Sequence, residues 1–247
     1  WVVAGYKKHG KTSFISQVAA WMLGKGKPGL VASMEFQARF GAANILQSGM
    51  AGKRFTEKEM DFALDNYMTN LFMYDKTGRV DLDALLDAFR FAYNKYGVWW
   101  FVIDNLMRLR VPVKENEAMN EMMNKMIDFT METNTHIFLL HHLRKPSEKE
   151  GGEKRFPNSE MLKGAGEIAD NATGQIVVHK NLEKMEKKDA CERDGNMDTS
   201  WISMPDAAIA LQFQRFHGGK TRKLDLNYSP EANQFYVKGQ QPVRYFT

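Results

Sequence analysis

The chain has 247 residues, 43% of them hydrophobic and 26% charged, the balance of a globular protein rather than a disordered one. Its 34 basic residues face 30 acidic ones, so a net charge of +4 permits a polyanionic partner without demanding one. A single cysteine, Cys191, excludes an internal disulfide framework and suits a reducing compartment. No apolar run approaches membrane-spanning length and no signal-peptide pattern is visible, so no membrane partner is expected.

Trp1 to Ala4 reads as a buried strand, and a chain that starts inside a core strand is expected to continue upstream of Trp1. The strand runs into Gly5-Tyr-Lys-Lys-His-Gly10-Lys11-Thr12, the pattern G-x-x-x-x-G-K-[ST]. Its glycines let successive backbone N–H groups turn inward around a phosphate, and the helix expected over Thr12–Leu23 points its positive end at the same place. Lys8, His9 and Ser13 belong to the same loop. Lys11 is placed to reach the β- and γ-phosphates of ATP or another NTP or dNTP, and Thr12 to offer its hydroxyl to Mg²⁺. The bland alternative is a lysine-bearing turn.

Further apolar runs predict buried strands at Leu30–Met34, Leu71–Tyr74, Val98–Ile103, His136–Leu140 and Gln175–Val178. Helical patterns lie between them. Thr56–Met68 opens on a capping box, Asp81–Tyr96 gathers Leu82, Leu85, Leu86, Phe89 and Tyr93 on one face, and Ala118–Met131 is rich in methionine. Continuous apolar strands alternating with helices imply a parallel sheet covered on both faces. After residue 200, Ala207–Phe216, Lys223–Tyr228 and Gln234–Val237 read as short strands joined by turns, an antiparallel extension of the same sheet. The polar stretches 144–160 and 181–200 read as mobile loops. The expectation is one α/β domain over residues 1–247, a P-loop NTPase core with an antiparallel C-terminal extension.

Three strand tips supply further chemistry. Asp104 ends the strand "WWFVID" and puts a carboxylate beside the metal, unless it merely closes a turn. Asn105 follows it where some P-loop ATPases carry a second acid, so the group that activates water must come from elsewhere. Glu35, at the end of the second strand, can orient that water, or answer a helix dipole. His141 and His142 end a third strand on alternating sides, so one of them is placed to sense the γ-phosphate.

In this order, a phosphate loop, Glu35, Asp104-Asn105, "HHLRKP" and a late arginine resemble the RecA-like hexameric replicative helicases. The resemblance is greatest to the helicase domains of phage-type primase-helicases and of the mitochondrial Twinkle helicase. "VIDNL", "LKGAGEIADNATGQIVV" and "QRFHGGKTRKLDLNYSPEANQFY" also carry it, over about residues 1–238. It implies Lys11 and Thr12 on phosphate and Mg²⁺, Asp104 on the metal side, Glu35 on the water and His142 as the sensor. It also implies that Arg215 enters a neighbouring subunit's site as an arginine finger, and that Tyr228 packs on the nucleotide base. Many relatives carry a lysine where this chain has Phe213. The implied partners are single-stranded DNA, further copies of the chain in a six-membered ring, a primase domain or protein, and a DNA polymerase. The implied location is the cytoplasm of a bacterial host for a phage protein, or otherwise the mitochondrial matrix.

By the same resemblance "MLKGAGEIAD" is a central-channel loop, with Lys163, Gly164 and Gly166 set against the DNA backbone. Arg144, Lys145, Lys154 and Arg155 lie upstream of it, and Arg108, Arg110 and Lys114 near a second loop. Most scattered cations are simply solvated. Rival readings are a RecA-like recombinase or clock-type ATPase, a P-loop kinase of a small metabolite, and a nucleotide-dependent scaffold.

Overall fold

A computed structural model describes residues 1–52, 54–110, 116–144, 146, 152–157, 168, 171–194, 198–215 and 221–247. In chain order the elements are β1 (Val2–Gly5), α1 (Lys11–Gly24), β2 (Gly29–Ser33), α2 (Ala38–Met50), α3 (Glu57–Asn66), β3 (Leu71–Met73), α4 (Leu82–Tyr96), β4 (Trp100–Asp104), α5 (Asn116–Thr133), β5 (His136–His142), β6 (Gly174–Lys180), α6 (Leu182–Asp194), β7 (Ala207–Gln214), β8 (Arg222–Ser229) and β9 (Gln234–Tyr236). They build one sheet in the order β3-β2-β4-β5-β1-β6-β7-β8-β9. The first six strands of that order are parallel and β7 to β9 are antiparallel. The expected doubly covered parallel core with an antiparallel extension is therefore the observed architecture.

Every residue of β4, Trp100 to Asp104, is buried, as a central strand covered on both faces requires. Phe101 and Ile103 pack on one face with Leu85 and Phe89 of α4 and with Met122, Met126 and Phe129 of α5. Trp100 and Val102 pack on the other with Ile15, Ala19 and Leu23 of α1 and Ile45 of α2. The Phe89 and Phe101 rings stack with centroids 4.4 Å apart, an arrangement contributing about 0.5–1.5 kcal/mol beyond its buried area. Met119, Met122, Met123 and Met126 of α5 are core, whereas Met131 is exposed.

The structure corrects the sequence expectations in two places. Residues 182–194 of the expected loop 181–200 form α6. The Asn181 side chain accepts from the Lys184 N–H at 3.1 Å as an N-cap. Glu183–Lys187 and Lys188–Glu192 pair one turn apart, Lys154 bridges to Glu186 at 2.7 Å, and Lys184 bridges to Asp206 at 2.7 Å. Helix α2 is the second difference, since no helical pattern marks it in the sequence. Two of its glycines admit neighbours: a Cβ at Gly41 would lie 3.0 Å from the Met73 methyl, and one at Gly49 only 2.2 Å from the Phe246 ring. In the other polar stretch, 152–154 form a 3₁₀ turn, while 145, 147–151 and 158–160 lie outside the described residues.

Beyond β9 the chain lies across α1, α2 and α3. The Tyr245 and Phe246 N–H groups both donate to the Gly49 carbonyl, and Phe246 stacks on Tyr67 at 4.6 Å. This strap lies past the stretch that carries the family resemblance.

Candidate active site

Parallel strands end together, so the C-terminal tips of β1, β2, β4 and β5 share one edge of the sheet. The register aligns Gly5 with His142 and Ser33 with Asp104. At that edge β1 turns into a loop and then α1. Gly5 has no room for a side chain, since a Cβ would lie 2.4 Å from the Val178 carbonyl oxygen. Gly10 sits at φ 92°, a left-handed conformation open to glycine, and forms the N-cap of α1.

Lys11 is buried, and its Nζ donates to the Gly5 and Tyr6 carbonyls at 2.9 and 2.8 Å. Burial lowers its pKa to about 8, against the opposing pull of Asp104 and Glu35. Asp104 is buried too, and burial raises its pKa to about 6, Glu35 adding to the rise and the Thr12 hydrogen bond opposing it. Each charge is poorly solvated, so anionic phosphates and a cation are the counter-charges this edge lacks. The Thr12 hydroxyl donates to Asp104 Oδ2 at 3.1 Å. A hydroxyl and a carboxylate side by side fit Mg²⁺, a hard cation commonly held by one or two protein oxygens plus substrate phosphates. Among the described residues no cluster of three or more His, Cys, Asp or Glu could hold a metal without such help.

Glu35 and His142 meet through a residue that the sequence marks only as a missing acid. Asn105 is fully buried, and its Nδ2 donates to Glu35 Oε1 at 2.8 Å and lies 3.0 Å from His142 Nε2. Its Oδ1 accepts from the Met107 N–H at 2.9 Å. Arg108, grouped in the sequence with DNA-binding cations, has its Nε 3.8 Å from Glu35 Oε1. The sequence signal for Asn105 is its place directly after a strand-ending Asp.

Of the two histidines, His142 joins this network. Burial lowers the pKa of both, to about 4 for His141. His9 is built into the floor of the loop: its ring packs against Tyr6 and His179, and Nδ1 accepts from the Lys180 N–H at 3.1 Å. Lys8 is exposed. Ser13 Oγ lies 3.4 Å from the Tyr228 hydroxyl, which donates to Asn233 at 2.9 Å. Tyr228 also packs on Phe235, whose ring would lie 3.0 Å from a Cβ at Gly10. An aromatic pair thus flanks the loop.

Arg215 lies elsewhere. Strand β7 runs antiparallel to β6, with Ala207 opposite Lys180 near the loop and Gln214 opposite Gly174 at the far end. Over the eight residues of β7 this puts Arg215 roughly 25 Å from the loop at the usual rise per residue, on the opposite edge of the sheet and exposed. Arg144 is exposed just beyond β5. Lys145, Lys163, Gly164 and Gly166 lie outside the described residues.

A family model described as an AAA domain matches residues 1–148. No match was found among curated proteins. A solved structure titled as an ATPase domain superposes with a TM-score of 0.69 at 14% identity, covering 96% of this chain and 83% of that one. A structure titled as a DnaB-like replicative helicase and its interactions with primase superposes with a TM-score of 0.72 at 14% identity. That alignment covers 96% of this chain and 58% of the other, so this chain spans little more than half that protein's length. The AAA family model covers more than half of this sequence, and the likeness to the solved structures is one of fold. The chain therefore belongs to the AAA domain family and has the RecA-like fold of DnaB-type helicase domains.

Proposed function

We propose that this chain is the ATP-driven motor of a ring-shaped DNA helicase, hydrolysing ATP at the β1–α1 loop and moving along single-stranded DNA. One observation carries the reading: Lys11, Thr12, Glu35, Asp104 and His142 lie at one edge of the sheet while Arg215 sits on the opposite edge. In this reading Lys11 leaves the Gly5 and Tyr6 carbonyls for the β- and γ-phosphates. Thr12 and Asp104 would hold Mg²⁺, which neutralises charge on the phosphate oxygens. Glu35 aims a water at the γ-phosphorus, and His142 touches the γ-phosphate. Tyr228 packs on the base.

Arg215 cannot reach its own loop across the sheet, so it completes the site of a neighbouring copy. An arginine finger in trans contributes roughly 10³–10⁵ in rate. That geometry needs an oligomer that presents one copy's far edge to the next copy's near edge, a head-to-tail contact that closes into a ring. Coupling to single-stranded DNA is the part of the reading that rests on the helicase likeness. The primase contact named for one solved structure would extend it further.

The test mixes two inactive variants. Glu35→Gln lacks the base and Arg215→Ala lacks the finger. In mixed rings, an Arg215→Ala copy whose neighbour carries Glu35→Gln has an intact loop edge and receives an intact arginine. ATP hydrolysis restored by mixing, and stimulated by single-stranded DNA in the wild-type chain, is the expected result. Mixtures as inactive as their components would sink the trans arrangement, and an ATPase indifferent to DNA would sink the motor.

A further inference from the structure

The Asn105 amide is held in one orientation. Its Oδ1 accepts from the Met107 N–H, so the other end is the NH₂ group, with two hydrogens to give. One goes to Glu35 Oε1 at 2.8 Å, and the other points at His142 Nε2 at 3.0 Å. An amide NH₂ only donates, so His142 Nε2 must accept. The ring is therefore neutral, with its hydrogen on Nδ1. That Nδ1 is buried and has no partner among the described residues.

A phosphate oxygen only accepts. The Nε2 that faces Asn105 cannot contact a γ-phosphate while it carries a lone pair toward the amide. It needs a hydrogen, and an Nε2 that carries one can no longer accept from Asn105. We propose that Asn105 is a positioning residue that competes with the γ-phosphate for His142: it holds a bare Nε2 when no triphosphate is present and releases the ring when one binds. On release the ring changes tautomer, losing the Nδ1 proton to solvent as Nε2 takes one up, with no net change in charge.

The same amide holds Glu35. Its bond and the Arg108 guanidinium both address Oε1, leaving Oε2 for water. Losing His142 leaves the second N–H of Asn105 without an acceptor while the first still fixes Glu35. Sensor and base thus share one amide, which frees His142 for a γ-phosphate while it keeps its hold on Glu35. This inference rests on the ATPase reading above and adds a switch to it.

The test uses the full chain labelled with ¹⁵N-histidine, with the His142 signals assigned through a His142→Gln variant. The ring nitrogens are read in the nucleotide-free protein, with Mg-ADP, and with a non-hydrolysable Mg-ATP analogue. The expected result is a bare Nε2 in the first two states and a protonated Nε2 in the third. Asn105→Ala should lower kcat about tenfold with KM for Mg-ATP changed less than about threefold, the pattern of lost transition-state alignment. Asn105→Asp keeps the shape, loses the donor, and should abolish the bare-Nε2 signal in the nucleotide-free state. A nucleotide-free wild type with hydrogen on Nε2, or one whose Nε2 stays bare with the triphosphate analogue bound, overturns the switch. Binding of a fluorescent Mg-ATP analogue separates the two levels. A wild type that binds none sinks the ATPase reading and the switch with it; one that binds and hydrolyses without the tautomer change sinks only the switch.

Discussion

The two edges of this sheet are built in opposite ways. At the C-terminal edge of the parallel strands Lys11, Asp104 and Asn105 are buried and the polar groups pair with one another: Lys11 with two carbonyls, Thr12 with Asp104, and Asn105 with Glu35, His142 and Met107. At the opposite edge Arg215, just beyond β7, is exposed. A parallel sheet produces the first arrangement, because its strand tips all face one way and carry one functional residue each. Reversal of β7 sends the chain back to the other edge and delivers a cation there. In the proposed function the near edge holds the nucleotide and the far edge meets a second copy.

That contrast is broken or sharpened first by removing the arginine. Arg215→Ala should lower ATP turnover in the assembled protein by about 10³–10⁵-fold, the range for an arginine finger, while Mg-ATP affinity stays near wild type. A monomeric preparation should lose almost nothing, because the arginine acts on another copy. Steady-state turnover measured above and below the assembly concentration checks both halves. Next in size is Glu35→Gln. Loss of a water-orienting carboxylate should lower turnover by about 10²–10⁴-fold at any protein concentration, with nucleotide binding kept. Equal concentration dependence for the two variants would erase the distinction between the edges.

A smaller effect tests how tightly the near edge is packed. Gly5→Ala brings a Cβ to 2.4 Å from the Val178 carbonyl oxygen, an atom of the adjoining backbone that has nowhere to go. Stability should fall by about 1–3 kcal/mol, the usual penalty of overpacking, read from the urea midpoint at constant slope. An equivalent change at the far edge, Gln214→Ala, should leave the midpoint nearly unmoved.

Much of this is legible in the sequence, for reasons particular to each element. β4 announces itself because both faces are covered, so five consecutive residues are buried and its terminal Asp stands out. The phosphate loop announces itself because its glycines are dictated by backbone approach. α2 is hidden because its contacts demand small residues: Gly41 against Met73 and Gly49 against Phe246 remove the apolar stripe that marks a helix. α6 is hidden for the opposite reason. It is charged all round and held by paired side chains and an Asn cap, so hydrophobic periodicity has nothing to detect, although oppositely charged residues four apart from Glu183 onward carry the signal. Asn105 reads only as the absence of an acid, because an asparagine's role depends on which groups converge on it in space.

The smallest predicted effect lies away from both edges and separates structural from catalytic loss. Glu59 closes the capping box of α3 and also meets Arg244 of the C-terminal strap at 2.8 Å. The Thr56 N–H, then Arg244 and the Thr56 hydroxyl, hold its pKa at about 2 against an ordinary value of 4.5. A carboxyl whose folded pKa is depressed stabilises the fold above its unfolded pKa and loses that contribution as pH falls through the folded value. The wild-type advantage over Glu59→Gln should therefore be full above about pH 4.5 and fade toward pH 2. Urea midpoints of the two proteins across that window measure it. ATP turnover of Glu59→Gln at neutral pH should match wild type, since Glu59 bonds Thr56 and Arg244 and none of the strand-tip side chains. A turnover loss there, with the fold intact, would mean that the strap communicates with the nucleotide edge through α1, where Gln17 bonds both Tyr245 and the Phe235 backbone.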